Sequence, residues 1–178
     1  SGTGTSTLAM AQDEPDVDVV AVEVYRRGLA QLLSAIDRAG VTNIRLIRGD
    51  GLDVLEHMVG TGSLTGVRVF FPDPWPKARH HKRRILGPAT LDSFAALLAE
   101  GGELRFASDI MDYIDWSLMH TCRHPAFVWN ASRAADWRQR PADWPPTRYE
   151  KKAIIQGRTS AYLSFRRENR ANNQDAAA

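Results

Sequence analysis

The sequence predicts an α/β domain: a mostly parallel sheet with helices on both faces, ending in an antiparallel C-terminal strand. Three observations carry this. Short β-branched or apolar runs alternate regularly with stretches of helical periodicity, the turns between them are short, and the last two apolar runs leave room for a hairpin-like return. Strands that alternate with helices in this way pair in parallel, because each crossover helix must pack back onto a face of the sheet.

The elements follow in order. Ser1-Gly2-Thr3-Gly4-Thr5-Ser6-Thr7 is a glycine turn leading into a helix start at Leu8-Ala9-Met10-Ala11. Such turns normally follow a strand, so a first strand is expected before Ser1. Val17 to Val24 is a β-branched run too short for a helix, and Tyr25 to Ala39 places Leu29, Leu32, Leu33 and Ile36 at helical spacing. Ile44 to Ile47 gives a strand, Leu52 to Val59 a helix and Val67 to Phe71 a strand. Pro88 to Ala99 is expected as a helix closed by Gly101-Gly102, followed by a strand from Glu103 to Ala107 and a helix from Asp109 to Thr121. Phe127 to Trp129 and Ser160 to Arg166 are the closing strands, with a helix from Thr147 to Gln156 between them. Trp137 to Pro146, rich in tryptophan, proline and arginine, is expected as a loop, open to substrate contact or to ordinary packing. Residues 1–168 are expected to form a single domain and 169–178, polar and ending in three alanines, a disordered tail.

Composition narrows the function classes. The chain has 178 residues, enough for one domain with a two-sided core, and no run of apolar residues suggests a membrane span. Its one cysteine, Cys122, fits a reducing cytoplasm. The net charge of +2 hides an asymmetry: residues 1–66 carry five Lys/Arg against nine Asp/Glu, the remainder eighteen against twelve. A basic second half suits a polyanion, and an acidic first half suits a cationic ligand and ribose hydroxyls.

The most informative stretch is Phe70-Phe71-Pro72-Asp73-Pro74-Trp75-Pro76-Lys77, continued by Arg79-His80-His81-Lys82-Arg83-Arg84. Prolines at alternate positions deny the backbone both helix and ladder hydrogen bonds, so Asp73 and Trp75 are expected on a stiff loop at a strand end. A cationic tract follows at once. A second element, Thr147-Arg148-Tyr149-Glu150, comes after Pro145-Pro146 and also has the form of a capping box, T-x-x-E.

Together these two motifs, in this order, resemble the bacterial tRNA (guanine-7-)methyltransferases, from Ser1 to about Arg167. The resemblance implies a Rossmann-like class I methyltransferase fold, S-adenosylmethionine as methyl donor with S-adenosylhomocysteine as product, tRNA as partner, and methylation of the 7-nitrogen of guanine at position 46 in the variable loop. It also implies that a further donor-binding glutamate belongs to the absent first strand.

On the donor side the expected residues are Gly2, Gly4, Glu23, Asp50 and Asp73. Glycine tolerates the positive φ and close approach that a ligand turn needs, and the following helix adds unpaired N–H groups at its positive end. Glu23 ends a strand about twenty residues on, where a carboxylate can accept both ribose hydroxyls. Asp50, in Gly49-Asp50-Gly51, matches the family's adenine-side carboxylate and is equally readable as an Asp-Gly turn. A dinucleotide oxidoreductase would share the glycine turn and the acid, but it leaves the P-D-P-W tract and T-x-Y-E unexplained.

On the acceptor side the resemblance makes Asp73 catalytic and Lys77, Asp109, Thr147, Arg148, Tyr149 and Glu150 substrate contacts. Asp109 is alternatively an N-cap for the helix from Ile110. Arg79, His80, His81, Lys82, Arg83 and Arg84 form the expected RNA contacts. Neighbouring histidines rarely bind one ion and no Cys/His spacing supports zinc, so no metal is expected. The rival readings are a class I methyltransferase with a small-molecule or protein acceptor, and a tRNA-binding homologue without catalysis. Homodimer and monomer are equally open.

Overall fold

In the computed structural model, residues 4–168 are described, so Gly2 and the tail expected to be disordered from Asn169 lie outside the described residues. Two compact units are distinguished, Ser1–Met58 with Ala142–Arg148 and Val59–Pro141 with Tyr149–Ala178.

The first unit runs α1 (Thr5–Asp13), β1 (Val19–Glu23), α2 (Arg26–Ala39), β2 (Ile44–Arg48) and α3 (Gly51–Met58). The β-branched run pairs in parallel with β2, in register from Val19 opposite Ile44 to Glu23 opposite Arg48. Its core is Ala11, Ala21, Leu32 and Ile44, against which Leu8, Val19, Ile36, Val41 and Leu46 pack. The apolar stripe of α2 is narrower than the spacing predicts: Leu32 is fully buried while Leu33 is 60% exposed. Gly40 ends that helix in the left-handed region at φ 64°, and its N–H bonds the carbonyl of Asp37. The Asn43 amide then reaches the carbonyls of Ala11, Glu14 and Val17 at 2.8–3.1 Å, fixing the chain between α1 and β1.

The second unit holds β3 (Leu64–Phe70), a 3₁₀ helix (Ala78–Arg83), α4 (Pro88–Leu97), β4 (Leu98–Ser108), α5 (Met111–Arg123), β5 (Phe127–Trp129), α6 (Ala135–Arg138), most of α7 (Arg148–Ile155) and β6 (Ala161–Arg167). Its sheet order is β3-β4-β6-β5. The first pair is parallel, and β6 lies antiparallel to both β4 and β5, the predicted return. Phe94, Phe106, Tyr113, Phe127 and Phe165 are fully buried, each worth about 1.5–3 kcal/mol of transfer free energy. The rings of Phe106 on β4 and Tyr113 on α5 meet edge to face at 5.0 Å.

Two expectations change. Helix α4 stops at Leu97 rather than Ala99, and the strand begins at Leu98, five residues earlier than predicted, because Leu98 is already extended and pairs with Leu64. The glycine pair therefore lies inside β4, at the register shift. Gly101 takes φ 79°, and a Cβ on Gly102 would stand 2.9 Å from the Ala99 carbonyl oxygen, so both positions require glycine for backbone reasons. The expected loop from Trp137 also overlaps α6, whose single turn is supported by Asp136 accepting from the N–H groups of Ser132 and Arg133.

Candidate functional site

Two donor-side residues of the first unit, Glu23 and Asp50, stand where its strands end, and Gly4 stands at the start of α1. Gly4 caps α1 at φ 77°, and a Cβ there would fall 2.4–2.7 Å from the Leu32 side chain, so only glycine allows α1 to seat on α2. Glu23 is the last residue of β1, and its carboxylate accepts from the Tyr25 N–H at 3.0 Å as the chain turns into α2. The Gly49 N–H bonds the Glu23 carbonyl at 3.3 Å, which sets the Asp50 turn beside the end of β1. Asp50 serves its turn as well: its Oδ1 accepts from the Leu52 N–H at 2.8 Å and its carbonyl from Val54 as α3 begins. Both carboxylates thus stand at the carboxyl ends of neighbouring parallel strands, where open α/β sheets bind ligands.

In the second unit the P-D-P-W loop carries backbone strain in addition to its prolines. Phe71 and Trp75 both adopt positive φ, 50° and 45°, a region costly for non-glycine residues. The Phe71 N–H bonds the Ala107 carbonyl at 2.8 Å, extending the β3–β4 pairing to the loop's first residue. Asp73 and Lys77 are exposed beyond it. Arg83 lies over the Trp75 ring at 4.8 Å and His80 meets its edge at 5.9 Å, so the loop's aromatic residue is held by the tract that follows.

The 3₁₀ turn sorts the basic tract by exposure. Lys77, Arg79, Lys82 and Arg83 face solvent, and His80 and His81 are half-buried. The His81 ring packs on Trp116 at 5.4 Å, and Trp116 on His120 at 4.3 Å. Arg84 is the correction: only 3% exposed, it is no phosphate contact. Its Nε donates to the Pro74 carbonyl at 3.0 Å, Nη1 to the Asp112 carbonyl at 3.3 Å and Nη2 to the Asp112 carboxylate, and the guanidinium lies over Tyr113 and Trp116. That hydrogen bond, first among its causes, holds the Asp112 pKa below the usual carboxylate value. Burial pushes the Tyr113 hydroxyl up to about 12, and its oxygen accepts from the Ile85 N–H at 2.8 Å.

Asp109 follows β4 and is turned toward Arg158, whose Nε donates to its carboxylate at 2.5 Å. It does not cap α5, which begins with Met111 after Ile110; the Ser108 hydroxyl accepts from the Ile110 N–H instead, at 3.2 Å. In the late motif Tyr149 and Arg148 are exposed and Thr147 is half-buried. Glu150 is not the surface contact its motif implies: it is 6% exposed, accepts from the Tyr162 hydroxyl and pairs with Arg140 Nε at 3.1 Å. Burial, and secondarily the hydrogen bond to Glu150, raises the Tyr162 pKa.

Sequence reasoning thus missed Asp112, Arg140, Arg158 and Tyr162. None stands near its partner in the chain, and no spacing rule marks them. Among the described residues no three His, Cys, Asp or Glu side chains gather to hold a metal ion, and no helix is long and apolar enough to cross a membrane.

Residues 1–163 match a family model described as "putative methyltransferase". A protein of Rhodospirillum rubrum named tRNA (guanine-N(7)-)-methyltransferase is 52% identical over 170 residues, covering 96% of this chain and 66% of that protein. One of the same name from Mycolicibacterium gilvum is 59% identical over 158 residues, covering 86% and 60%. A third, from Mycobacterium leprae, is 52% identical over 170 residues, covering 94% and 72%. The chain therefore spans 60–66% of the first two relatives' length. Among solved structures, an rRNA methylase from Streptococcus thermophilus superposes with TM-score 0.61 at 16% identity, covering 94% of this chain and 82% of that one. A Streptococcus mutans chain in complex with SAH does so at 0.55 and 12%, covering 93% and 84%. At such identities the likeness shows the fold, a Rossmann-like class I methyltransferase fold.

Proposed function

The chain belongs to the tRNA (guanine-N(7)-)-methyltransferases, and we propose that it methylates the 7-nitrogen of guanine 46 in the tRNA variable loop with S-adenosylmethionine as donor. The observation that carries this reading is Asp73, exposed on a proline-locked, positive-φ loop immediately ahead of solvent-facing Lys77, Arg79, Lys82 and Arg83. A carboxylate held that way, with cations at its side, fits a purine embedded in a polyanion.

Glu23 and Asp50 fit the donor, two carboxylates at adjacent strand ends suited to ribose hydroxyls and an adenine amino group, with Gly4 in the glycine turn that opens α1. When bound, S-adenosylmethionine supplies an electrophilic methyl on a sulfonium. The guanine 7-nitrogen already carries a lone pair and no proton, so no residue is needed to generate the nucleophile. The protein's task is placement, worth as much as roughly 7–11 kcal/mol, and a field that favours positive charge arriving on the purine. Asp73 does both, accepting from the guanine amino or ring N–H edge while its charge stabilises the developing cation. Lys77, Asp109 and Tyr149 complete the acceptor side, Tyr149 by stacking, with Arg148 and the exposed tract on phosphates. Residues 1–168 are read as one methyltransferase domain of a cytoplasmic enzyme.

The test uses labelled S-adenosylmethionine, unmodified tRNA and nucleoside mass spectrometry of the product. Label in 7-methylguanosine from the variable loop is expected. Label elsewhere would reassign the acceptor, and donor binding with no transfer to any RNA would favour a small-molecule or protein acceptor.

A further inference from the structure

We propose that Arg84 is a positioning residue that braces the Asp73 loop against the start of α5. It spans two strand-end segments with one rigid group: Nε holds the Pro74 carbonyl, the residue next to Asp73, while Nη1 and Nη2 hold the backbone carbonyl and carboxylate of Asp112, three residues past Asp109. The guanidinium side chain is fully buried and lies over the rings of Tyr113 and Trp116, and Trp116 is itself fixed by its Nε1 donating to the Leu86 carbonyl at 2.8 Å.

The loop's need for such a brace follows from its own chemistry. Pro72, Pro74 and Pro76 offer no N–H groups, and Phe71 and Trp75 stand at positive φ, so the loop has few backbone donors with which to hold a strained shape. An arginine that donates from inside to the Pro74 carbonyl supplies the missing tie. Lysine cannot replace it, because one ammonium on a flexible stem lacks the planar fork that reaches Pro74 and both Asp112 oxygens at once.

The inference rests on the methyl-transfer reading for its kinetic arm and on the fold alone for its structural arm. Arg84→Lys keeps the charge, and Arg84→Met fills the site without leaving a buried unpaired cation. Both are tested for thermal unfolding, for donor and tRNA affinity, for single-turnover methyl transfer, and for hydrogen exchange at the Asp73, Trp75 and Lys77 amides. The expected result is folded protein, affinities within about threefold, exchange in the loop faster by at least about tenfold with β4 unchanged, and transfer slower by about 100-fold, as for a misplaced reacting group. Asp112→Asn, which spares the Pro74 contact, should show a smaller loss than either. Unchanged loop exchange in both variants would overturn the brace, as would transfer that falls only with the folded fraction. If the parent protein makes no 7-methylguanosine, the reaction assignment fails while loop exchange still decides the role of Arg84.

Discussion

Replacing Glu150 by alanine should destabilise the protein by about 2–4 kcal/mol, and the structure shows where that figure comes from. The carboxylate accepts from the Tyr162 hydroxyl, on a residue 7% exposed. A hydrogen bond to a charged acceptor contributes about 1.5–3 kcal/mol, and its loss strands a buried hydroxyl. The ion pair to Arg140 adds less, under about 1 kcal/mol, because that side chain is 35% exposed and water screens it. Urea denaturation of Glu150→Ala, Tyr162→Phe and the double variant forms a cycle whose coupling energy should be about 1–2 kcal/mol, since each single change already removes the shared bond. Glu150→Gln retains an acceptor and should stay within about 1 kcal/mol of the parent. Single changes that add within about 0.5 kcal/mol would refute the assignment of Glu150 to a load-sharing role inside the fold and return it to the substrate contacts.

The other predictions concern chemistry, charge and pH. Asp73→Ala should abolish methyl transfer while leaving tRNA affinity within a few fold, measured by single-turnover assay and filter binding; unaltered transfer would remove Asp73 from the mechanism. Four exposed cations, Lys77, Arg79, Lys82 and Arg83, imply that log tRNA affinity falls with log salt at a slope of roughly −3 to −4, and Lys82→Ala should reduce that slope by about 0.7–0.9. Arg84→Met should leave the slope unchanged, because the buried guanidinium releases no counterion. The Tyr113 pKa of about 12 lies above its unfolded value of 10.0, so the native state retains its proton over that window. The Tyr113 contribution to stability should be level below pH 10 and decline between pH 10 and 12, so Tyr113→Phe should reduce the alkaline fall and leave the part due to Tyr162, whose pKa is also raised; circular dichroism melts across this range measure it.

Much of the fold was legible in the sequence because its signals are local. The β-branched run before Glu23, the heptad-like spacing of α2 and the short turns each declare their own element, and their alternation implies the parallel pairing of β1 with β2 and β3 with β4. The misplaced start of β4 has a different origin. Gly101-Gly102 after an apolar helix carries the signature of a C-cap, and only pairing with Leu64 across the bulge made Leu98 a strand residue instead.

The same division holds at the site. Sequence alone determined that a carboxylate stands on a proline-stiffened strand end ahead of a basic tract, since proline's fixed φ and missing N–H act on the chain wherever it goes. Which members of that tract meet solvent was decided by tertiary structure. Arg79 and Arg84 carry the same side chain, yet one is exposed and the other buried against Asp112, 28 residues away; Asp109 finds Arg158 across 49. The physical reason is desolvation. A buried charge is tolerated only where the fold supplies its partners, and those partners come together only when strands and helices distant along the chain pack.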